Sequence, residues 1–289
     1  MITVYEYSFL QWLLIFYIYC FLGWCFESTV VSVQQRHAVN RGFLRGPMLP
    51  IYGFGATMLL HISLPLHDRP IALFLWSMIA ATIFEYLVGW LMETMFKVKY
   101  WDYSEHRFQF QGRICLQSSI CWGFMGLILA RFIHPPIETL VIWLPQLTLI
   151  LVCVALTAMF ASDVAVSVRT ALDLAKVLEE LDKLRQQGEE LREQLSETAM
   201  VKLTNLSYRV DEARGELNER LDDAMEKATD AKEEILARLD EVRARFDERA
   251  EGLKRTRKSL LRGNPTARSA QYDDVLQKLK KHVQTKKRG

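Results

Sequence analysis

An all-α, multi-pass helical membrane protein followed by a long charged helix is the fold class that three features of this 289-residue sequence predict. Charge is divided sharply along the chain. Residues 1–169 hold ten of the 36 Lys/Arg and nine of the 34 Asp/Glu, leaving 26 and 25 to the remainder. The charge-poor part contains apolar runs about as long as the 20 helical residues a bilayer requires. The charge-rich part carries an apolar stripe at helical spacing. A mean hydropathy of +0.03 and a net charge of +2 average over these unlike halves and describe neither.

The apolar runs are Phe9 to Val33, Met48 to Leu66, Ile71 to Phe96, Leu116 to His134 and Leu140 to Val168. They predict about five transmembrane helices and a membrane domain over residues 1–168. Pro50, Gly53 and Gly55 interrupt the second run, for which a re-entrant segment is the alternative. The first run is too long for the core of a signal peptide, lacks a basic leader and carries Glu27.

Basic residues orient the spans. Arg36, Arg41 and Arg45 fall in the first connection, and Lys97, Lys99, Arg107 and Arg113 in the third, whereas the other connections are poor in them. By the positive-inside rule the first and third connections and the C-terminal half are cytoplasmic and the N-terminus is outside. Cys20, Cys25, Cys115, Cys121 and Cys153 lie in or beside apolar helix without metal-ligand spacing, so they read as small apolar side chains, with no metal or cofactor implied.

Residues 169–262 read as a cytoplasmic amphipathic, coiled-coil-like helix. Apolar residues recur by threes and fours from Leu206 to Leu253, and Val177 to Leu195 keep closer to heptad spacing. Such a stripe needs a partner helix, from a second copy as a homo-oligomer or from its own fold-back. Residues 263–289 read as a flexible basic tail. With the cations before it, from Lys254 to Arg262, the tail favours anionic membrane lipids as partner, since no nucleic-acid-binding signature accompanies it.

Ionisable residues inside a membrane domain are costly, so they mark candidate sites. Glu27 lies near the inner end of the first span, and Glu85 and Glu93 lie in the third, on one broad face with Gly89. At 1.5 Å per residue Glu93 is about one turn deep and Glu85 roughly 15 Å in. Arg41, Arg45 and Arg113 arrive at the level of Glu27 and Glu93, at connections that Gly42, Gly46, Pro47 and Gly112 allow to turn tightly. Two readings follow. Arg/Glu pairs lock the helix ends, or glycine-exposed amides and arginines form an inward-facing site for a phosphate or carboxylate.

The segments "RGFLRGPMLPIYGFG", "FEYLVGWLMETMF", "WDYS" and "GRICLQSSICWG" resemble, in that order, a bacterial membrane family named for a type IV ABC transporter. The likeness spans about Gly23 to Gly126. The family pattern has asparagine where this chain has Gln109, and its core does not include the long charged helix. The resemblance implies a permease-like transport component of the bacterial cytoplasmic membrane. The chain contains no G-x-x-x-x-G-K-[ST], so an ATPase would be a separate subunit. No nucleophile or metal constellation marks it as an enzyme. The alternatives are a membrane-anchored scaffold or regulator built on the charged helix, and an intramembrane enzyme acting on lipid head groups through Glu27 or Glu93.

Overall fold

The computed structural model describes residues 7–210, 217–253 and 255–285. Helix α1 (Phe9–Gln35) starts at Ser8, whose hydroxyl accepts from the Gln11 amide while the Gln11 side chain accepts from the Ser8 amide. Two amides that a helix start would orphan are thus satisfied. Helices α2 (Pro50–Leu66) and α3 (Pro70–Phe96) each open with a proline in the first turn, where its missing N–H costs nothing. A short antiparallel hairpin, β1 (Gln109–Phe110) and β2 (Ile114–Cys115), precedes α4 (Leu116–Ile128). One π turn, Leu129–Ile133, joins α4 to α5 (His134–Trp143), and α6 runs over Gln146–Val210.

Contacts alternate between two ends of the bundle. At one end Tyr7 bonds His134 (3.0 Å), the Cys153 thiol donates to the Leu10 carbonyl (3.4 Å) and Arg131 donates to the His67 carbonyl (3.4 Å). At the other, the Arg41 amide donates to Ser28 (3.2 Å) and the Gly46 amide to Asp163 (2.8 Å). Among the described residues the chain therefore runs between these two ends five times, and four helical stretches are long and apolar enough to cross a membrane. Outward-facing Ile79, Ile83 and Leu87 on α3 and Leu147, Leu151 and Val154 on α6 offer the apolar surface that lipid tails would cover.

Two details refine the sequence reading. The second run is one continuous helix of 17 residues, about 25 Å long against a hydrocarbon core of about 30 Å. Gly53 serves close packing, since a Cβ there would stand 2.7 Å from the Phe16 ring. The turn between the last two spans lies at Leu144 and Pro145, later than expected. Pro135 and Pro136 sit in the first turn of α5, directly after the π turn, where a loosened hydrogen-bond register accommodates them. Helices α3 and α4 approach through small residues: a Cβ at Gly123 would come within 2.6 Å of the Phe74 ring.

Residues 176–254 form a second compact unit. Within it the later part of α6 and helix α7 (Leu217–Glu251) pair antiparallel, with Arg249 bridging Glu180 (3.0 Å) and Val242 beside Gly188. The stripe expected on one helix over 169–262 is thus divided between helices that fold back on each other, and Ile235, Leu239 and Phe246 are half-buried. The part of the stripe at Ala213 lies outside the described residues.

Helices α8 (Arg255–Gly263) and α9 (Asp273–Thr285) belong to the same compact unit as the bundle. The flexible tail expected from residue 263 is instead helical over Asp273–Thr285, because Val275, Leu276, Leu279 and Val283 give it an apolar face, and this face is buried. A two-way backbone bridge joins Lys99 and Arg268 (2.7 and 3.0 Å), and Ser269 donates to the Lys97 carbonyl (2.5 Å). Lys280 is buried, donating to the carbonyls of Pro265 and Ala267, and burial pushes its ammonium down to about 8. Lys254, Lys286, Lys287 and Arg288 lie outside the described residues.

Candidate functional site: a buried carboxylate and two ion pairs at one end of the bundle

The first connection is tied down residue by residue. Ser32 receives the Val39 amide (2.9 Å), and Asn40 accepts from the Trp24 indole (2.5 Å) and donates to the Arg45 carbonyl (2.7 Å). The amides of Arg45 and Gly46 both donate to the Asp163 carboxylate, at 3.2 and 2.8 Å. This folding directs Arg41 inward. Its Nε lies 3.7 Å from Glu27, Nη1 donates to Asn264 (3.0 Å) and the Gly263 carbonyl (3.3 Å), and Nη2 donates to the Tyr100 carbonyl (3.4 Å). Tyr52 on α2 donates to the other oxygen of Glu27 (2.8 Å).

The third connection folds against α3. Gln111 and Gly112 take left-handed backbone angles (φ 53° and 68°), which lets β1 return on β2, and the Gly112 amide donates to the Gln109 side chain (2.7 Å). Gly112 has no room for a side chain: a Cβ there would meet Ser104 at 2.6 Å. Gly89 leaves space for the Trp101 ring and the Arg113 stem, at 3.3 and 3.5 Å from where its Cβ would be. Arg113 then reaches Glu93, with Nη2 and Nε donating to one carboxylate oxygen at 2.7 and 3.0 Å. Lys99 stands 3.9 Å from the other oxygen, and the guanidinium lies 5.4 Å from the centre of the Tyr86 ring. Side-chain exposures of 14% and 16% place this pair away from water.

Glu85 is different. It is 5% exposed and meets neutral donors: Tyr103 (3.0 Å) on one oxygen, and the Trp122 indole (3.1 Å) and Ser118 (3.3 Å) on the other. The Ser118 proton is shared with the Cys115 carbonyl at 2.9 Å. Among the described residues no cation pairs with it. Burial, then the charge of Glu85 and its hydrogen bond, push the Tyr103 phenol above its ordinary range, with Glu27 contributing, so Tyr103 stays protonated as a donor.

Of the residues singled out from sequence, the structure joins Glu27 to Arg41 and Glu93 to Arg113, leaves Glu85 apart from both, and leaves the Arg45 side chain exposed with no acidic partner among the described residues. Among the described residues the three arginines share no partner. The amides of Gly46 and Gly112, expected to face an anion, are taken by Asp163 and Gln109. Two of the three arginines are thus ion-paired with glutamates. Sequence reasoning missed Tyr52, Tyr103, Ser118, Trp122, Asp163 and Asn264. Asp163 carried a signal, being a lone acid in an apolar run, whereas nothing in the sequence aims Tyr103 at Glu85.

A family model with the description "Putative ABC-transporter type IV" matches residues 14–168. The match takes in all six candidate residues. No curated protein and no solved structure matches the chain.

Proposed function

The chain belongs to the family described as Putative ABC-transporter type IV, and on that premise we propose that it is the membrane-spanning component of a transport system driven by a separate ATPase subunit. The observation that carries this reading is Glu85, a carboxylate with no cation partner among the described residues, on the wall of a cavity inside the bundle. A residue that only held helices together would be expected to have a countercharge, as Glu93 has. The ion pairs Glu27–Arg41 and Glu93–Arg113 serve in this reading as the rigid frame around the cavity.

The scaffold reading draws on the antiparallel α6–α7 hairpin, which offers a long exposed surface to other proteins. The two readings separate in one experiment. The chain has no P-loop, so ATP hydrolysis in a preparation purified from native membranes through a tag on this chain belongs to a partner. Transport predicts stoichiometric recovery of an ATP-hydrolysing subunit. Its absence from preparations that retain other partners would favour the scaffold.

The proposed orientation puts the first and third connections and the α6–α7 hairpin in the cytoplasm of a bacterial cell. In a background lacking the native cysteines, single cysteines at Asp68 and Pro145 are expected to react with an impermeant maleimide on intact cells. Those at His37 and His106, both exposed, should react only after lysis. The reverse pattern would invert the topology.

A further inference from the structure

The cavity between α1, α2, α3 and α4 has a volume of about 260 Å³. Tyr52, Phe26, Phe84 and Trp122 supply ring surface to its wall, and Glu85 supplies the one acid among the residues that line it. No lysine, arginine or histidine lines it. Leu22 and Phe26, also on the wall, are 40% and 55% exposed, so the cavity opens to the surroundings of the bundle beside them.

The chemistry of this wall is selective. An ionised carboxyl group buried without a countercharge is costly, and hydrogen bonds from Tyr103 and Trp122 reduce that cost without supplying the missing charge. The indole N–H can only donate, so it favours the acceptor form of Glu85. Aromatic faces attract cations, most strongly where water is excluded. Anions are disfavoured by Glu85 itself. A hard metal ion would need about six oxygen ligands, which one carboxylate and a hydrocarbon wall do not provide.

We propose that this cavity binds an amphipathic organic cation, with its charged head against Glu85 and the surrounding rings and its apolar body toward Leu22 and Phe26. The proposal names the substrate class of the transport site proposed above and rests on that reading.

The test uses the full-length protein in lipid nanodiscs and radiolabelled benzyltrimethylammonium as probe. Competitors are neopentylbenzene, the same shape with carbon in place of the charged nitrogen, and phenylmethanesulfonate, an anion with the same ring. Saturable binding of the cation is expected, with both competitors at least about tenfold weaker than unlabelled cation. Glu85→Gln should weaken cation binding by about tenfold or more. Phe84→Leu, at a half-buried ring that lines the cavity beside Glu85, should weaken it roughly threefold and leave neopentylbenzene unaffected. Should Glu85→Gln fail to fold, the competition series and Phe84→Leu decide. No saturable binding, equal displacement by the uncharged isostere, or unchanged affinity in a folded Glu85→Gln protein would overturn the proposal. ATP-driven transport of other solutes without cation binding would overturn the cation site alone, whereas cation binding without any coupled ATPase would overturn the transport reading and leave the site standing.

Discussion

Glu93→Ala is expected to destabilise the membrane domain by about 3 kcal/mol, read as a clear fall in melting temperature of the detergent-solubilised protein. The reason is what it leaves behind. Arg113 donates twice to Glu93 at 2.7 and 3.0 Å in a place where both side chains are largely hidden from water. Without the carboxylate, a guanidinium remains beside the aromatic ring of Tyr86 and the side chain of Gln111, which compensate only in part. Glu27→Ala is the internal comparison. Its partner Arg41 is 3.7 Å away, and the Glu27 side chain is 32% exposed, so that loss should be nearer about 1 kcal/mol. Equal melting of Glu93→Ala and wild type would show that the third connection is held by its backbone turns alone.

Glu85→Gln is expected to do the opposite: to melt like wild type and to lose transport. Glutamine has the same shape, its amide oxygen can still accept from the Trp122 indole, and the Tyr103 hydroxyl can turn to accept from the amide nitrogen. The polar contacts therefore survive and the stability change should stay below about 1 kcal/mol. What disappears is the negative charge. In a cavity whose lining holds no other acid, that charge is the feature a cationic solute would need.

The spans were legible because long apolar runs are a one-dimensional signal. Even there the end of the fourth span was not. The apolar run ends at His134, before Pro135 and Pro136, yet a preceding π turn carries the helix through them to Trp143. Pairing of Glu93 with Arg113 was within reach of sequence, since both lie at the same depth on either side of one connection. The environment of Glu85 was not, because it depends on how the third connection folds. Left-handed turns at Phe108, Gln111 and Gly112 and the space beside Gly89 help bring Tyr103 and Trp101 against α3. The segment Gly263–Ser269 was hidden for a different reason. Its composition is that of a polar tail, and its contacts to Arg41, Lys97 and Lys99 join residues more than 160 positions apart. The apolar face of α9 lies in the spacing of Val275, Leu276, Leu279 and Val283, among a surplus of lysines that reads as a basic tail.

The measurement closest to the role of Glu85 is ATP-dependent movement of radiolabelled benzyltrimethylammonium across membrane vesicles. Vesicles of both orientations would come from cells producing equal amounts of wild-type chain or Glu85→Gln, with cells lacking the chain as background. Movement well above background for wild type, falling to background for a Glu85→Gln protein of unchanged melting temperature, is the predicted result. Movement by Glu85→Gln at the wild-type rate would contradict it, and would leave the buried carboxylate a packing feature of the bundle.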